Sequence, residues 1–426
     1  MKSVVLGLLA SVSLAAVAQA QTVVETVTIT PLPGGEIERA EAAGPVQSAT
    51  GAQIERLNAL DLTEYLRRAV GGVYVNDIQN NPLQPDVDYR GFTASPLLGT
   101  AQGLSVYFDG VRINQPFGDV VSWDLIPRAA IAGIELAPGS NPLFGRNTLG
   151  GALTIRSKDG RSAPGLAVEA GYGSFGRWQT TLEGGGAADN GLHWYGVVNR
   201  LKEDGWRDFS PTEAGQAFGK LGWSDEATDI AASLALASTD LTGNGLQEQR
   251  FLQRDRASVY TKPDNTKNQS ALLNLTGSRT VSDSLTISGD AFWRTLKTKT
   301  LNGDLNDESL TESIYQPSAG ERAALAAAGY TGFPTAGETA ANTPFPSWRC
   351  IANGLLNSEP GEKCNGLLNR SSIQQREGGL SGQAAWTTPV PAGESRLVLG
   401  GGYVVSDVKF NQSSQYGYLT PDRGVV

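Results

Sequence analysis

From Leu166 onward the chain alternates residue by residue between apolar and polar or small side chains, and this period of two is what most restricts its fold. In one clear stretch Leu285, Ile287, Ala291 and Trp293 fall on one face, and Thr286, Ser288 and Asp290 on the other. Such a period places alternate side chains on opposite faces of a β-strand. Runs at 166–173, 176–186, 191–203, 214–224, 228–240, 268–281, 284–299, 371–388 and 394–411 predict nine strands. The last is the weakest, because Gly400, Gly401 and Gly402 interrupt it.

The links between these runs are short and long in turn. Ala187–Asn190, Asp225–Ala227, Ser282–Asp283 and Pro389–Gly393 are turns, whereas 204–213, 241–267 and 300–370 are long. Gly173–Phe175 breaks the rule, being short where a long link is expected. An antiparallel barrel across a membrane produces this asymmetry, with tight periplasmic turns and extended outer loops. A soluble β-sandwich has no reason to. At the N-terminus, Lys2, the apolar segment Val4–Val17 and the small residues Ala18-Gln19-Ala20 form a secretory signal, so residues 1–20 are removed and the mature chain starts at Gln21. No other run of ~20 apolar residues exists to span as a helix, which leaves strands as the spanning element.

Composition removes several function classes. The net charge of -9 without a basic stripe speaks against a nucleic-acid partner. His193 is the single histidine, so a His-based triad or metal cluster would have to be built around it alone. No hydrolase elbow or paired acids in a suitable context occur, and the glycine-rich Gly171–Gly176 is not followed by a helix that would make it a phosphate loop. No enzyme activity, cofactor or resident metal is expected. Cys350 and Cys364 fit one local disulfide in an oxidising compartment, stapling the longest link.

Residues 34–160 read differently, as a small glycine-hinged α+β unit. Ile54–Ala69 has Leu57, Leu60, Leu66 and Ala69 near helical spacing, with Asp61 or Thr63 able to cap its second half and Gly71-Gly72 ending it before a strand at Val73–Val75. Asp109-Gly110 between Leu104–Phe108 and Val111–Ile113 is a tight hairpin signal. A short helical bridge at Asp124–Pro127 and strands at Gly133–Leu136 and Ala152–Arg156 complete the unit.

The order of these pieces resembles the plug of TonB-dependent outer-membrane receptors. The likeness is carried by Leu66–Asp77 (Val70-Gly71 where Pro-Gly is usual), by Asp88-Tyr89-Arg90-Gly91-Phe92, by Asp109-Gly110-Val111-Arg112, and by Ile134-Glu135-Leu136 followed by Gly139, Phe144-Gly145 and Leu149–Ile155. Glu25-Thr26-Val27-Thr28-Ile29-Thr30, just past the signal, resembles the TonB box, an extended strand suited to edge pairing with a partner sheet.

The resemblance implies a plug domain at 34–160 behind a TonB-box segment at 21–33, then the N-terminal part of a transmembrane β-barrel at 161–426. The family's barrel has about 22 strands and would need roughly 600 residues at this spacing, so the sequence is expected to be a fragment. It implies active uptake of a scarce nutrient, an iron–siderophore complex first, with cobalamin, oligosaccharide, peptide or another chelate as alternatives. A passive or adhesive barrel is the competing class. The implied partners are the TonB protein, a small-molecule ligand and outer-membrane lipid, and the implied location is the outer membrane of a Gram-negative bacterium. Arg90, Asp109, Gly110, Arg112 and Glu135 are the implied hairpin and anchoring residues, whereas Pro138 stands where an anchoring arginine is usual, so the plug is expected to be more loosely locked unless Arg128 or Arg146 compensates. Thr93, Ser95, Gln115, Phe117, Asp119 and Trp206 are candidate ligand contacts at the outer vestibule.

Overall fold

The computed structural model describes residues 26–28, 30–33, 36–38, 42, 44–311, 315–339, 341–343, 345–391 and 393–426. The signal segment lies outside the described residues, as do Glu25 and Ile29 of the TonB-box stretch.

The first unit is built on a five-stranded sheet in the order β3-β9-β10-β7-β8, from Gln47–Thr50, Ile131–Pro138, Gly151–Ser157, Leu104–Phe108 and Val111–Arg112. β10 runs parallel to β7 and antiparallel to β9. All of β7 is buried, as in a strand covered on both faces, and its Ser105 hydroxyl is satisfied by Thr148 at 2.7 Å. Asp109 and Gly110 hold φ of 45° and 86°, the two left-handed positions of a tight hairpin turn. A small sheet of β4 (Val73–Asn76), β5 (Asp86–Tyr89) and β6 (Phe92–Ala94) lies beside it. The single helix expected at Ile54–Ala69 is instead two: α1 at Gly51–Arg56 and α2 at Leu62–Ala69. Local polar chemistry divides them. Thr50 and Gln53 close a capping box on α1, Asn58 turns left-handed, and the Asp61 carboxylate caps α2 by accepting from the Glu64 amide at 2.9 Å.

The second unit is an antiparallel meander of nine strands, β11 to β19, each paired only with its chain neighbours. They span Gly165–Tyr172, Trp178–Ala187, Leu192–Glu203, Thr212–Ser224, Thr228–Thr242, Asp264–Ser282, Leu285–Leu305, Gly366–Val390 and Gly393–Gly417. All nine stand where the alternation predicted them. The later ones run further than predicted: β17 reaches Leu305 and β18 begins at Gly366. Beyond the lipid both faces become polar, so the period fades while the backbone ladder continues. Short turns gather at one end of the sheet, except the short 173–177, which joins the links 204–211, 243–263 and 306–365 at the other. The link 243–263 carries α3 (Gln249–Arg254), and 306–365 holds α4 (Ala319–Ala327), α5 (Trp348–Leu356) and α6 (Pro360–Lys363). Cys350 and Cys364 are disulfide-bonded across α5 and α6.

The first unit packs on the concave face of this sheet. Phe108 meets Phe218 edge-to-face at 5.7 Å, and Tyr195, Val197, Phe218 and Leu272 join the same apolar cluster as Leu104, Val106 and Leu153. The opposite face of the sheet is apolar and exposed, with Leu166, Trp194, Leu234, Leu273 and Trp293 uncovered. Exposed apolar surface of this extent needs a non-aqueous neighbour, and lipid supplies it.

Candidate functional site

Thr26–Thr28 (β1) is not a free strand. It pairs antiparallel with Glu36–Glu38 (β2), which occupies the edge that the TonB-box reading left open for a partner. Val27 is fully buried, and Thr30 is buried with its hydroxyl donating to the Leu32 carbonyl at 3.0 Å. One contact between β1 and the sheet is made by Glu135, near the middle of β9. Its Oε2 accepts from the Thr28 amide at 2.7 Å, while Oε1 faces Arg156 of β10 at 3.1 Å. Glu135 is 3% exposed and Arg156 61%, so the carboxylate sits inside while its counter-charge reaches out to water. A buried carboxylate aimed at an amide forms a strong, charge-assisted hydrogen bond.

The barrel wall grips the plug mainly through the plug's backbone. Arg294 donates to the Ile113 carbonyl at 2.9 Å and the Asn114 carbonyl at 3.2 Å, and is neutralised by Glu377 on β18. Gln216 donates to the carbonyls of Asp124 and Ile126, Asn274 to that of Asp109, Tyr195 to that of Ala129, and Gln383 to those of Leu32 and Pro33. The side chain of Asp124 is buried and accepts from Thr239 at 2.6 Å and Asn268 at 2.9 Å. Burial pushes its carboxyl above the usual range, while these two bonds pull the other way.

Charge pairs also cross the seam. Lys220 reaches Asp109 at 3.0 Å, Lys158 reaches Glu183 at 2.8 Å, and Arg128 stands 3.7 Å from Glu169. Ion pairs between plug and wall are thus made by other residues than position 138, Arg128 among them, and Arg146 is exposed and pairs with no acid among the described residues. Arg90 corrects the anchoring expectation. It is exposed, has a φ of 55°, and lies over the Tyr89 ring without meeting an acid among the described residues. Tyr89 fills the space below, so the guanidinium is turned outward. Arg112 pairs within its own unit, with Asp119 at 2.9 Å.

Residues 38–152 match the family described as the TonB-dependent Receptor Plug Domain. This chain carries the plug of a TonB-dependent receptor. The vitamin B12 transporter BtuB of Vibrio vulnificus (strain YJ016) is 25% identical over 196 residues, 46% of this chain and 30% of that protein. The unliganded ferric citrate transporter FecA shares the fold with a TM-score of 0.63 and 14% identity, over 91% of this chain and 52% of that one. BauA, the ferric preacinetobactin receptor from Acinetobacter baumannii, does so at 0.62 and 13%, over 91% and 50%. The chain thus spans about a third to half the length of these relatives. TonB-dependent receptors are outer-membrane proteins of Gram-negative bacteria and are not enzymes, and the outer membrane is the place of this chain.

The outer end of the plug separates the predicted ligand residues into two sets. Ser95 and Gln115 are buried and committed to internal bonds, which corrects their reading as open contacts. The Ser95 hydroxyl donates to Asp86, whose carboxyl burial pushes up, and Gln115 bonds to Ser122 and Gln375. Asp119 is held by Arg112 and by Asn147 at 2.6 Å. Phe117 stacks on Phe410 of β19 at 5.0 Å, its amide donating to Gln375. Thr93 is half-buried at the middle of β6. Trp206 is 44% exposed and lines a cavity of about 460 Å³ between α2 and the outer turns of β11–β14, together with Arg67, Asp77 and Glu203. Sequence reading missed the wall donors Gln216, Asn274, Arg294 and Gln383. The signal was there, as polar residues at alternate positions of otherwise apolar strands, but it does not say which of them meet the plug. His193 is buried, and among the described residues neither of its ring nitrogens is bonded to protein.

Proposed function

We propose that this receptor takes up a scarce nutrient across the outer membrane, with energy supplied by the TonB protein acting on the segment at residues 25–30. The observation that carries this reading is the docked β1 strand. It is short and extended, pairs through three residues, and its Thr28 amide donates to the Glu135 carboxylate of the plug sheet. A short extended strand at the N-terminal side of the plug is suited to being drawn out by a partner strand before the plug itself moves.

The ligand class favoured is a ferric chelate. FecA and BauA, whose fold this chain shares, are named for ferric citrate and ferric preacinetobactin. A corrinoid is the second reading, because the sequence relative is a vitamin B12 transporter. Uptake of radiolabelled iron in several chelates, and of labelled cobalamin, by a deletion strain and its complemented parent separates the two. Removing residues 26–30 should abolish uptake and keep ligand binding. Uptake that survives this deletion would support a passive pore and defeat the proposal.

A further inference from the structure

A belt of neutral side chains crosses the inner wall, and both of its arms end on the plug. Thr181, Asn199 and Gln216 stand directly opposite one another on β12, β13 and β14, as do Thr239, Asn268 and Thr298 on β15, β16 and β17. In the first arm the Thr181 hydroxyl donates to Asn199, the Asn199 amide to Gln216 and the Gln216 amide to the Asp124 carbonyl, at 3.2, 3.2 and 2.6 Å. In the second, Thr298 donates to Asn268 at 2.7 Å and Asn268 to Asp124 Oδ2 at 2.9 Å, where Thr239 joins it at 2.6 Å. Bonds in series polarise one another, and here every one points toward Asp124. That residue is the keystone between β14 and β15.

The two wall donors crowd onto Oδ2 of a carboxyl that is 1% exposed, while Oδ1 is buried with no bonded partner among the described residues. This asymmetry suits a carboxylic acid, with one accepting oxygen and one that carries the proton, better than a carboxylate that shares its charge over both. Burial raises the carboxyl above its ordinary range, ahead of the Thr239 and Asn268 bonds that lower it. On β14 to β17 the charged inward side chains stand further along the strands: Lys220, Asp229, Asp264, Asp290, Arg294 and Asp304. The two cations among them are taken, Lys220 by Asp109 and Arg294 by Glu377. On the plug, Arg112 pairs with Asp119 and Arg128 faces Glu169. No cation among the described residues pairs with Asp124.

We propose that Asp124 makes the seating of the plug proton-sensitive: its acid form completes the belt, and its ionisation loosens residues 120–128 from the wall. An ionised carboxyl here has two neutral donors and no counter-charge, which does not repay its loss of water. A group that binds its proton more tightly when seated contributes in full below the ordinary carboxylate range, about pH 4, and that contribution is lost as pH rises through the seated value. The plug is therefore held more firmly in acid than at neutral pH. Under the transport reading, a pull on the plug then meets more resistance in acid, but the seating itself does not depend on that reading.

The test follows deuterium exchange of residues 120–128 in the intact protein in detergent, from about pH 4 to 8. Rates are corrected for the intrinsic pH dependence of exchange and referred to β7. An Asp61→Asn background removes the separate titration of that carboxyl. Protection of 120–128 should fall by up to about tenfold per pH unit above about pH 4 and then level off. Asp124→Asn should abolish the fall. Thr239→Val keeps the carboxyl and removes a donor to its charged form, so it should carry the fall to higher pH. A flat profile in the parent would overturn the proposal, as would an equal fall in Asp124→Asn. So would protection that rises with pH, since the converging donors would then be holding a carboxylate. Should Asp124→Asn fail to seat at any pH, Thr239→Val decides, and an unshifted profile in that variant refutes the proposal.

Discussion

Replacing Glu135 by alanine should release β1 from the plug without unfolding the plug. The wild-type carboxylate is 3% exposed, accepts from the Thr28 amide at 2.7 Å and faces Arg156 at 3.1 Å. Arg156 is 61% exposed, so it rehydrates when its partner is removed and adds little cost. What remains is the hydrogen bond from an amide to an ionised group, about 1.5–3 kcal/mol. That shifts the fraction of undocked strand by roughly 10- to 150-fold. Glu135→Gln keeps an acceptor and loses the charge, which reduces the expected shift to about 10-fold or less. Val27 reports the event, because it is fully buried when β1 is docked. A Val27→Cys thiol is the sole target for a maleimide, since Cys350 and Cys364 are bonded to each other and no other cysteine exists. Labelling rates should rise in the order Val27→Cys alone, with Glu135→Gln, with Glu135→Ala. Equal rates in all three, at an unchanged melting temperature, would show that the carboxylate does not hold the strand.

Three further outcomes follow from local chemistry. Burial lifts the Asp61 carboxyl to about 6, from an ordinary 3.8, so the folded plug binds this proton more tightly than the unfolded chain. Stability from this group is therefore full below pH 4 and lost as pH rises through 6, by up to about 3 kcal/mol; Asp61→Asn, which can still cap α2, should flatten that slope in urea unfolding. Gly110→Ala places a side chain at φ 86° with its Cβ 3.2 Å from Leu32, and should lower plug stability by about 1–2 kcal/mol in the same assay. Replacing both Cys350 and Cys364 by serine opens a loop of sequence separation 14, a loss of about 3 kcal/mol local to the outer loop, and should speed its cleavage by protease while leaving the melting of the sheet unchanged.

The barrel strands were legible because lipid on one face and a polar plug on the other impose a strict alternation, as at Leu285–Trp293. Where lipid ends the alternation ends too, which is why β17 and β18 were read short. The plug hairpin was legible from Asp109-Gly110 because few other pairs tolerate two left-handed positions in succession. The break between α1 and α2 was partly visible in Asp61, yet spacing of Leu57, Leu60 and Leu66 outweighed it. Long-range partnerships were not legible. Nothing local in the sequence says that Glu135 meets Thr28 across 107 residues, or that Gln375 closes over Gln115 across 260. Ser95 and Gln115 looked like ligand contacts because polar loop residues resemble one another whether they face solvent or seal an interior.

The wall's preference for carbonyls over side chains has a consequence for how such a plug can diverge. Gln216, Asn274, Arg294 and Gln383 hold Leu32, Pro33, Asp109, Ile113, Asn114, Asp124 and Ile126 at the one atom pair that every residue type possesses. A mutation at a gripped position such as Ile113 changes the side chain and leaves the grip intact. The plug can then trade residues for a new cargo without renegotiating its fit, while a change in any of the four gripping side chains is felt at once.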